Sequence, residues 1–361
     1  MENATLSQRQ FLSIVIFTTI STAFYLLPGV LIADAKQYAW LVPIWTGFAG
    51  VGISLLWLYL ASQYPKVDLF QISHQVLGRV AGKIVSIFLI YQMILICSWV
   101  INNLNDFMTI TLLTHTTDWV FGACFLMIAV YSTIKGIEAL ARTTEFFVPL
   151  LILMIFLFFS IAVNVWDWSH FTPVSEIDWE GVFPKSSFMI AFPFMDAFTF
   201  IMIFPYVKEK PGLVYLKGSL IGALFLSAVT FLIIGTLGVS RASHIAYPLY
   251  TLSQELELSP FLEHIEGGIS IFWLIFVFIK LMFTFYCAVT GIAQTFNIQH
   301  RGLISVPLAI VILGFSQSMH QNIIENIEWM KKYILQQESL VSVVIPALLI
   351  VVHFISRRRR T

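Results

Sequence analysis

Two charged side chains lie inside stretches otherwise apolar enough for lipid: Asp196 in MIAFPFMDAFTFIMIFPY (residues 189–206) and Lys280 in FVFIKLMFTFYCAV (residues 276–289). An ionised Asp or Lys at the bilayer centre costs roughly 2.5–3.5 kcal/mol on insertion scales, so each needs a partner, a wet cavity or a neutral protonation state. Two readings follow: a structural Asp196–Lys280 ion pair, or two groups on a substrate or ion pathway. Pro193 favours the pathway, because a proline inside a helix removes a backbone donor and displaces the carbonyl four residues earlier. Polar backbone freed at membrane depth is tolerated only where it is buried or lines a cavity. Broken spans are how many secondary transporters build midplane sites. The Lys280 ammonium would then either occupy the place of a coupling cation or serve a proton relay.

A break in the sixth span implies one in the first if the chain consists of two inverted five-helix repeats. The first span carries Thr18, Thr19, Ser21 and Thr22 midway, with Pro28 and Gly29 toward its outer end. These hydroxyls would satisfy a loosened backbone or bond back to their own helix. Thr18, Ser21 and Thr22, with Phe192, Pro193, Phe194 and Thr199 around Asp196, are the candidate ligand-binding residues, and Lys280 completes the set. Asn102, Asn103, Asn105 and Asp106 read as interfacial residues near the outer end of the third span. Gly218 and Gly222 read as a helix-packing notch.

The elements that must position these residues are membrane helices. A chain of 361 residues that is 58% hydrophobic and 11% charged, with mean hydropathy +0.85, is not a water-soluble globule. Runs long enough to cross the hydrocarbon fall at about 10–33, 39–61, 84–110, 119–134, 145–165, 186–206, 213–237, 268–291, 303–317 and 339–355. The expected fold is thus an all-α polytopic membrane protein of ten transmembrane helices, with 1–361 as a single transmembrane domain. The first run is too long for a signal-peptide core and reads as a retained span. With the N-terminus inside, 14 of the 20 basic residues fall in inner segments, including Lys66, Arg142, Lys208, Lys210 and Arg357–Arg360. Lys331 and Lys332 fall in an outer loop, and Glu176, Asp178, Glu180, Glu255, Glu257, Glu263 and Glu266 also lie outside. This bias puts both termini in the cytoplasm. The terminal arginines read as a stop-transfer anchor or a patch for lipid headgroups. In the inner loop after span two, Leu69, Ile72, Val76 and Val80 have helical spacing, which predicts an amphipathic helix on the inner surface or over the mouth of a pathway.

Enzyme chemistry has no visible home. There is no HExxH zinc pair, no phosphate-binding loop and no span with a spaced pair of histidines. Cys97, Cys124 and Cys287 lie in apolar runs without CxxC spacing. No metal, no cofactor and no nucleic-acid partner is expected.

Three segments resemble, in order along the chain, the amino-acid-permease-like B subunits of bacterial spore germinant receptors, within the amino acid/polyamine/organocation transporter superfamily. YPKVDLFQISHQVLGRVAGK resembles the inner segment of that family, and IKGIEALARTTEFFVPL its KGIE-x-x-AR-x-x-E motif. AFPFMDAFTFIMIFPYVKEK resembles its FPFGE segment, which is followed by a second Phe-Pro and a basic inner loop. Lys135, Gly136, Glu138, Arg142 and Glu145 make the middle motif the most specific. The resemblance implies two inverted five-helix repeats of the amino-acid permease type with discontinuous helices one and six. It also implies a subunit that senses an amino acid or similar nutrient at the spore inner membrane or cell membrane, together with A-type and C-type receptor subunits. By motif match Phe192, Pro193, Phe194 and Asp196 inherit the broken sixth helix, with Asp196 where the family has Glu. Two departures stand out: residues 20–24 read ISTAF where the family has glycines, and Met195 replaces the glycine before the acid. A proton-coupled amino acid transporter is the alternative on the same fold. An ion-conducting or scaffolding subunit is a third possibility.

Overall fold

Ser7 opens the first helix with a capping box: its hydroxyl accepts from the Gln10 amide while the Gln10 side chain accepts from the Ser7 amide. The computed structural model describes residues 4–358 apart from 114, 118, 175–176 and 256–264. Glu176, Glu257, Glu263, Arg359 and Arg360 lie outside the described residues. The helices in order are α1 (Gln8–Ile20), α2 (Ala23–Ala35), α3 (Val42–Gln63), α4 (Leu69–Phe107), α5 (Trp119–Lys135), α6 (Ile137–Phe146), α7 (Val148–Ala162), α8 (Phe188–Ala191), α9 (Ala197–Ile201), α10 (Pro211–Leu237), α11 (Val239–Ala242), α12 (Pro248–Glu255), α13 (Ile265–Phe296), α14 (Arg301–Met319), α15 (Ile323–Ser339) and α16 (Ile345–Arg358). Among the described residues the one β-bridge joins Leu6 to Val207. It ties the N-terminus to the loop before α10 and marks one side of the molecule as the N-terminal face.

Seven helical stretches among the described residues are long and apolar enough to cross a membrane. Length and composition therefore do not return the expected count of ten, for identifiable reasons. The first span is split at Ser21–Thr22, and its second half runs on with α3 as one stretch, Ala23–Gln63. The sixth is split into α8 and α9, of 4 and 5 residues. The fourth, α5, has only 17 residues. A further difference concerns residues 318–338, expected as an outer loop. The chain there is mostly helix α15, which continues through a π-helical turn (Leu340–Val344) into α16. The combined stretch Ile323–Ser356 has 34 residues. At 1.5 Å per residue it is about 50 Å long, against roughly 30 Å of hydrocarbon. Its first turns thus lie over the far face, opposite the N-terminal face, where Lys331 reaches Asp34 at 2.7 Å.

Helix α1 is central, packed on α10, α13 and α6, and α13 in turn packs on α4, α5 and α14. The notch expected in α10 is real: a Cβ on Gly222 would sit 2.7 Å from the Thr19 methyl and one on Gly218 2.6 Å from Val15. Such close approach is what small residues contribute where lipid removes the hydrophobic drive for helix association. At the N-terminal face Asp68 caps α4, accepting from the Phe70 and Gln71 amides at 3.1 and 3.0 Å. The predicted amphipathic segment forms the start of α4. Leu69, Ile72 and Val76 are buried, but the chain turns at Gly78 (φ 80°) and leaves Val80 76% exposed. Phe70 fits against Gly291 near the end of α13, so this segment covers the N-terminal end of the helix core.

Candidate functional site

The break in the sixth span is built from residues 192–196. α8 ends at Ala191, Pro193 has no N–H to offer, and helix resumes at Ala197. Side-chain hydroxyls take up carbonyls at the break. The Ser342 hydroxyl donates to the Met195 carbonyl at 2.6 Å, and the Thr199 hydroxyl donates to the Asp196 carbonyl at 2.7 Å. Non-helical backbone at membrane depth is thereby buried in protein and partly bonded by side chains, the setting in which it is tolerated. Phe194 turns away toward α3. A Cβ on Gly50 would stand 2.3 Å from that of Phe194, so only glycine admits the break at this distance.

Asp196 points into a cavity of about 30 Å³ lined also by Phe192, Lys280, Trp99, Gln92 and Glu338. Its Oδ2 lies 3.4 Å from Lys280 Nζ, longer than the roughly 2.7–2.9 Å of a tight charge-assisted bond. Lys280 is 1% exposed and Asp196 8%. The ammonium also lies 4.8 Å from the centroid of the Phe192 ring, which meets Trp99 edge to face at 4.6 Å. The two charges picked out in the sequence therefore do meet, and at a cavity. The volume is enough for a water molecule and too small for an amino acid.

The sequence reading missed a second carboxylate here. Glu338, at the end of α15, is 5% exposed, and its Oε1 accepts from the Gln92 amide nitrogen at 2.6 Å. Gln337 donates to Gln92 Oε1 at 3.1 Å. Oε2 of Glu338 is buried and has no hydrogen-bond partner among the described residues. Nearer the far end of α4, the Trp99 indole donates to Asn326 Oδ1 at 2.7 Å, and Asn326 donates to Asn103 Oδ1 at 3.0 Å. Asn103 donates to the Trp99 carbonyl at 2.9 Å and Asn102 to the Ser316 carbonyl at 3.2 Å. Asn102, Asn103 and Asn105 are buried rather than interfacial. Two of them fasten α14 and α15 over the cavity. The signal for α15 was in the spacing: its buried residues Asn326, Met330, Ile334 and Glu338 recur every four positions, one helical stripe that ends in a carboxylate.

The first span breaks where its hydroxyls cluster. Ser21 leaves helical geometry (φ −1°, ψ −112°) and donates to the Phe276 carbonyl of α13 at 3.1 Å, one turn from Lys280. The Thr18 and Thr22 hydroxyl oxygens are buried without a partner among the described residues. Of the nine candidate residues, Phe192, Asp196 and Lys280 share the cavity wall, whereas Thr18, Ser21, Thr22, Pro193, Phe194 and Thr199 do not line it. Beyond the break an aromatic cluster fills the core. Tyr25, Phe107 and Trp273 have ring centroids 4.3–5.2 Å apart, and Tyr247 and Tyr250 join them. No group of three or more His, Cys, Asp or Glu among the described residues could hold a metal ion.

Comparison with known proteins agrees with this architecture. The sequence model of a family described as "Spore germination protein" matches residues 5–324. Spore germination protein KB of Bacillus subtilis (strain 168) is 24% identical over 342 residues, covering 91% of this chain and 88% of its own. The putative spore germination protein YfkT of the same organism is 25% identical over 280 residues, 76% of each. Among solved structures, Mhp1, a nucleobase-cation-symport-1 family transporter in a closed conformation with bromovinylhydantoin bound, superposes with a TM-score of 0.64. It is 14% identical and covers 99% of this chain and 80% of its own, a likeness of fold.

Proposed function

This chain belongs to the spore germination protein family of permease-like membrane proteins, and on that premise we propose that it is the B subunit of a germinant receptor. It binds an amino acid or similar small nutrient within the membrane and passes the signal to A-type and C-type receptor subunits. The observation that carries the reading is the buried Asp196–Lys280 pair at the broken sixth span of a transporter fold. In the open form Asp196 orients the ligand's ammonium and Lys280 balances the charge, with Phe192, Phe194, Pro193 and Thr199 of the sixth span and Thr18, Ser21 and Thr22 of the first as walls. The cavity of about 30 Å³ has no room for such a ligand, so binding accompanies opening. A ligand shifts that equilibrium only by its difference in affinity for the two states. The distribution of Lys and Arg supports cytoplasmic termini, in the spore inner membrane or the cell membrane, with lipid around a single transmembrane domain. Family and fold are those of permeases rather than enzymes.

The second reading, a proton-coupled amino acid transporter, is favoured by the match to a transporter with ligand bound. Uptake of a labelled amino-acid mixture into liposomes under an imposed pH gradient separates the two. Accumulation in wild type that is abolished in Asp196→Asn establishes transport and displaces the receptor reading. Saturable binding of one component without accumulation establishes sensing.

A further inference from the structure

The cavity wall carries two carboxylates, Asp196 and Glu338, and one ammonium, Lys280. With all three ionised the site holds a net negative charge in a medium of low dielectric, and a buried ion without a counter-charge costs several kcal/mol. One proton removes the imbalance, and the geometry says which carboxylate takes it. Asp196 faces the ammonium at 3.4 Å. Glu338 is held instead by a neutral amide: Gln92 donates to Oε1 at 2.6 Å, and Gln337, donating to Gln92 Oε1 at 3.1 Å, fixes that amide with its NH2 toward the carboxyl. The remaining oxygen, Oε2, is buried and unpartnered among the described residues. An ionised carboxylate accepts only, and would leave that oxygen's share of the charge buried with no donor. A protonated carboxyl places a neutral O–H there in place of a bare charge.

We propose that Glu338 is the proton-binding residue of this site: a carboxyl that carries a proton at neutral pH in the closed conformation and leaves Lys280 to Asp196. Among the described residues, the elements packed around Glu338 supply no competing cation. α3 contains no charged residue, α4 presents Gln92, the break between α8 and α9 presents Asp196, and α13 presents Lys280. On α15 itself Lys331 is engaged with Asp34 at the far face. His353 of α16, near the N-terminal face, is bonded to Tyr64 at 2.6 Å. Glu338 holds this proton in a sensor and in a transporter alike.

The test is infrared absorption of the full chain in lipid vesicles at neutral pH, with unlabelled protein and with glutamate or aspartate carrying a carbon-13 carboxyl. The expected result is a protonated-carboxyl C=O band that shifts with labelled glutamate and disappears in Glu338→Gln. In Asp196→Asn the band also disappears, because Glu338 then ionises to serve Lys280. The absence of a protonated-carboxyl band that shifts with labelled glutamate would overturn the proposal, and a band that shifts with labelled aspartate, persists in Asp68→Asn and disappears in Asp196→Asn would place the proton on Asp196 instead. The labelling arms use the native chain, so the outcome does not depend on a variant folding.

Discussion

Removing Lys280 is the sharpest perturbation of the site. At 3.4 Å and an effective dielectric near 20, its attraction to Asp196 is about 5 kcal/mol, much of it offset by the desolvation of both ions. Lys280→Met leaves Asp196 buried without a counter-charge and is expected to cost about 3–5 kcal/mol of stability. Asp196→Asn strands the ammonium, but Glu338 can release its proton and take over the pairing, so the loss is smaller, about 1–3 kcal/mol. The double variant contains only neutral groups and costs less than Lys280→Met alone, since exchanging a whole buried pair for neutral groups of similar volume is often nearly free. Unfolding of all four proteins in mixed micelles, followed by helical circular dichroism, gives the cycle. The sum of the single losses should exceed the double loss by at least about 2 kcal/mol. Losses that add to within about 0.5 kcal/mol would mean that the two charges do not feel each other, and that water screens the cavity; the reasoning from charge balance would then fail.

Two further perturbations test the supports of the site. Asn326→Ala removes the group that joins Trp99 to Asn103, leaving a buried indole N–H and an amide oxygen unpaired, so a loss of about 2–4 kcal/mol is expected. Protease access to α15 should rise in step, and unchanged protection would show that α15 is held by other contacts. Asp68, outside the spanning segments, has its carboxyl pushed above the ordinary carboxylate range by burial, against the opposing pull of the Gln71 and Phe70 amides. The folded chain therefore holds this proton more tightly than the unfolded chain. Asp68 favours folding most below the ordinary carboxylate range, and that contribution is lost as pH rises through its folded value. Asp68→Asn keeps an N-cap acceptor and should abolish this pH dependence without loss at neutral pH, whereas Asp68→Ala loses the cap and about 0.5–2 kcal/mol. Identical acid limbs in wild type and Asp68→Asn would contradict the assignment.

What the sequence disclosed of this site follows from contrast. Asp196 and Lys280 were visible because each is a charge in an apolar run, and Pro193 because a proline marks a helix that cannot run through. The break in the first span falls where its hydroxyls cluster, although nothing local in ISTAF distinguishes a side chain that serves an open backbone from one that bonds back to its own helix; Ser21 does neither, donating instead to the Phe276 carbonyl within α13. Glu338 was invisible for the opposite reason. It lies in NIIENIEWMKKYILQQES (residues 322–339), where Glu325, Glu328, Lys331 and Lys332 make the stretch look like an aqueous loop, and one more carboxylate there carries no contrast. The stripe Asn326, Met330, Ile334 and Glu338 shows that the helix presents its charges outward and buries one polar residue at each end of an apolar pair. Composition averages over the two faces of a helix and loses this; period does not. The asparagines of α4 failed in the same way, since Asn102 and Asn103 near a span end look interfacial until α14 and α15 close over them. A polar residue in a membrane chain is thus read safely only once the helix that will cover it has been found. In this protein that helix carries the second carboxylate of the site.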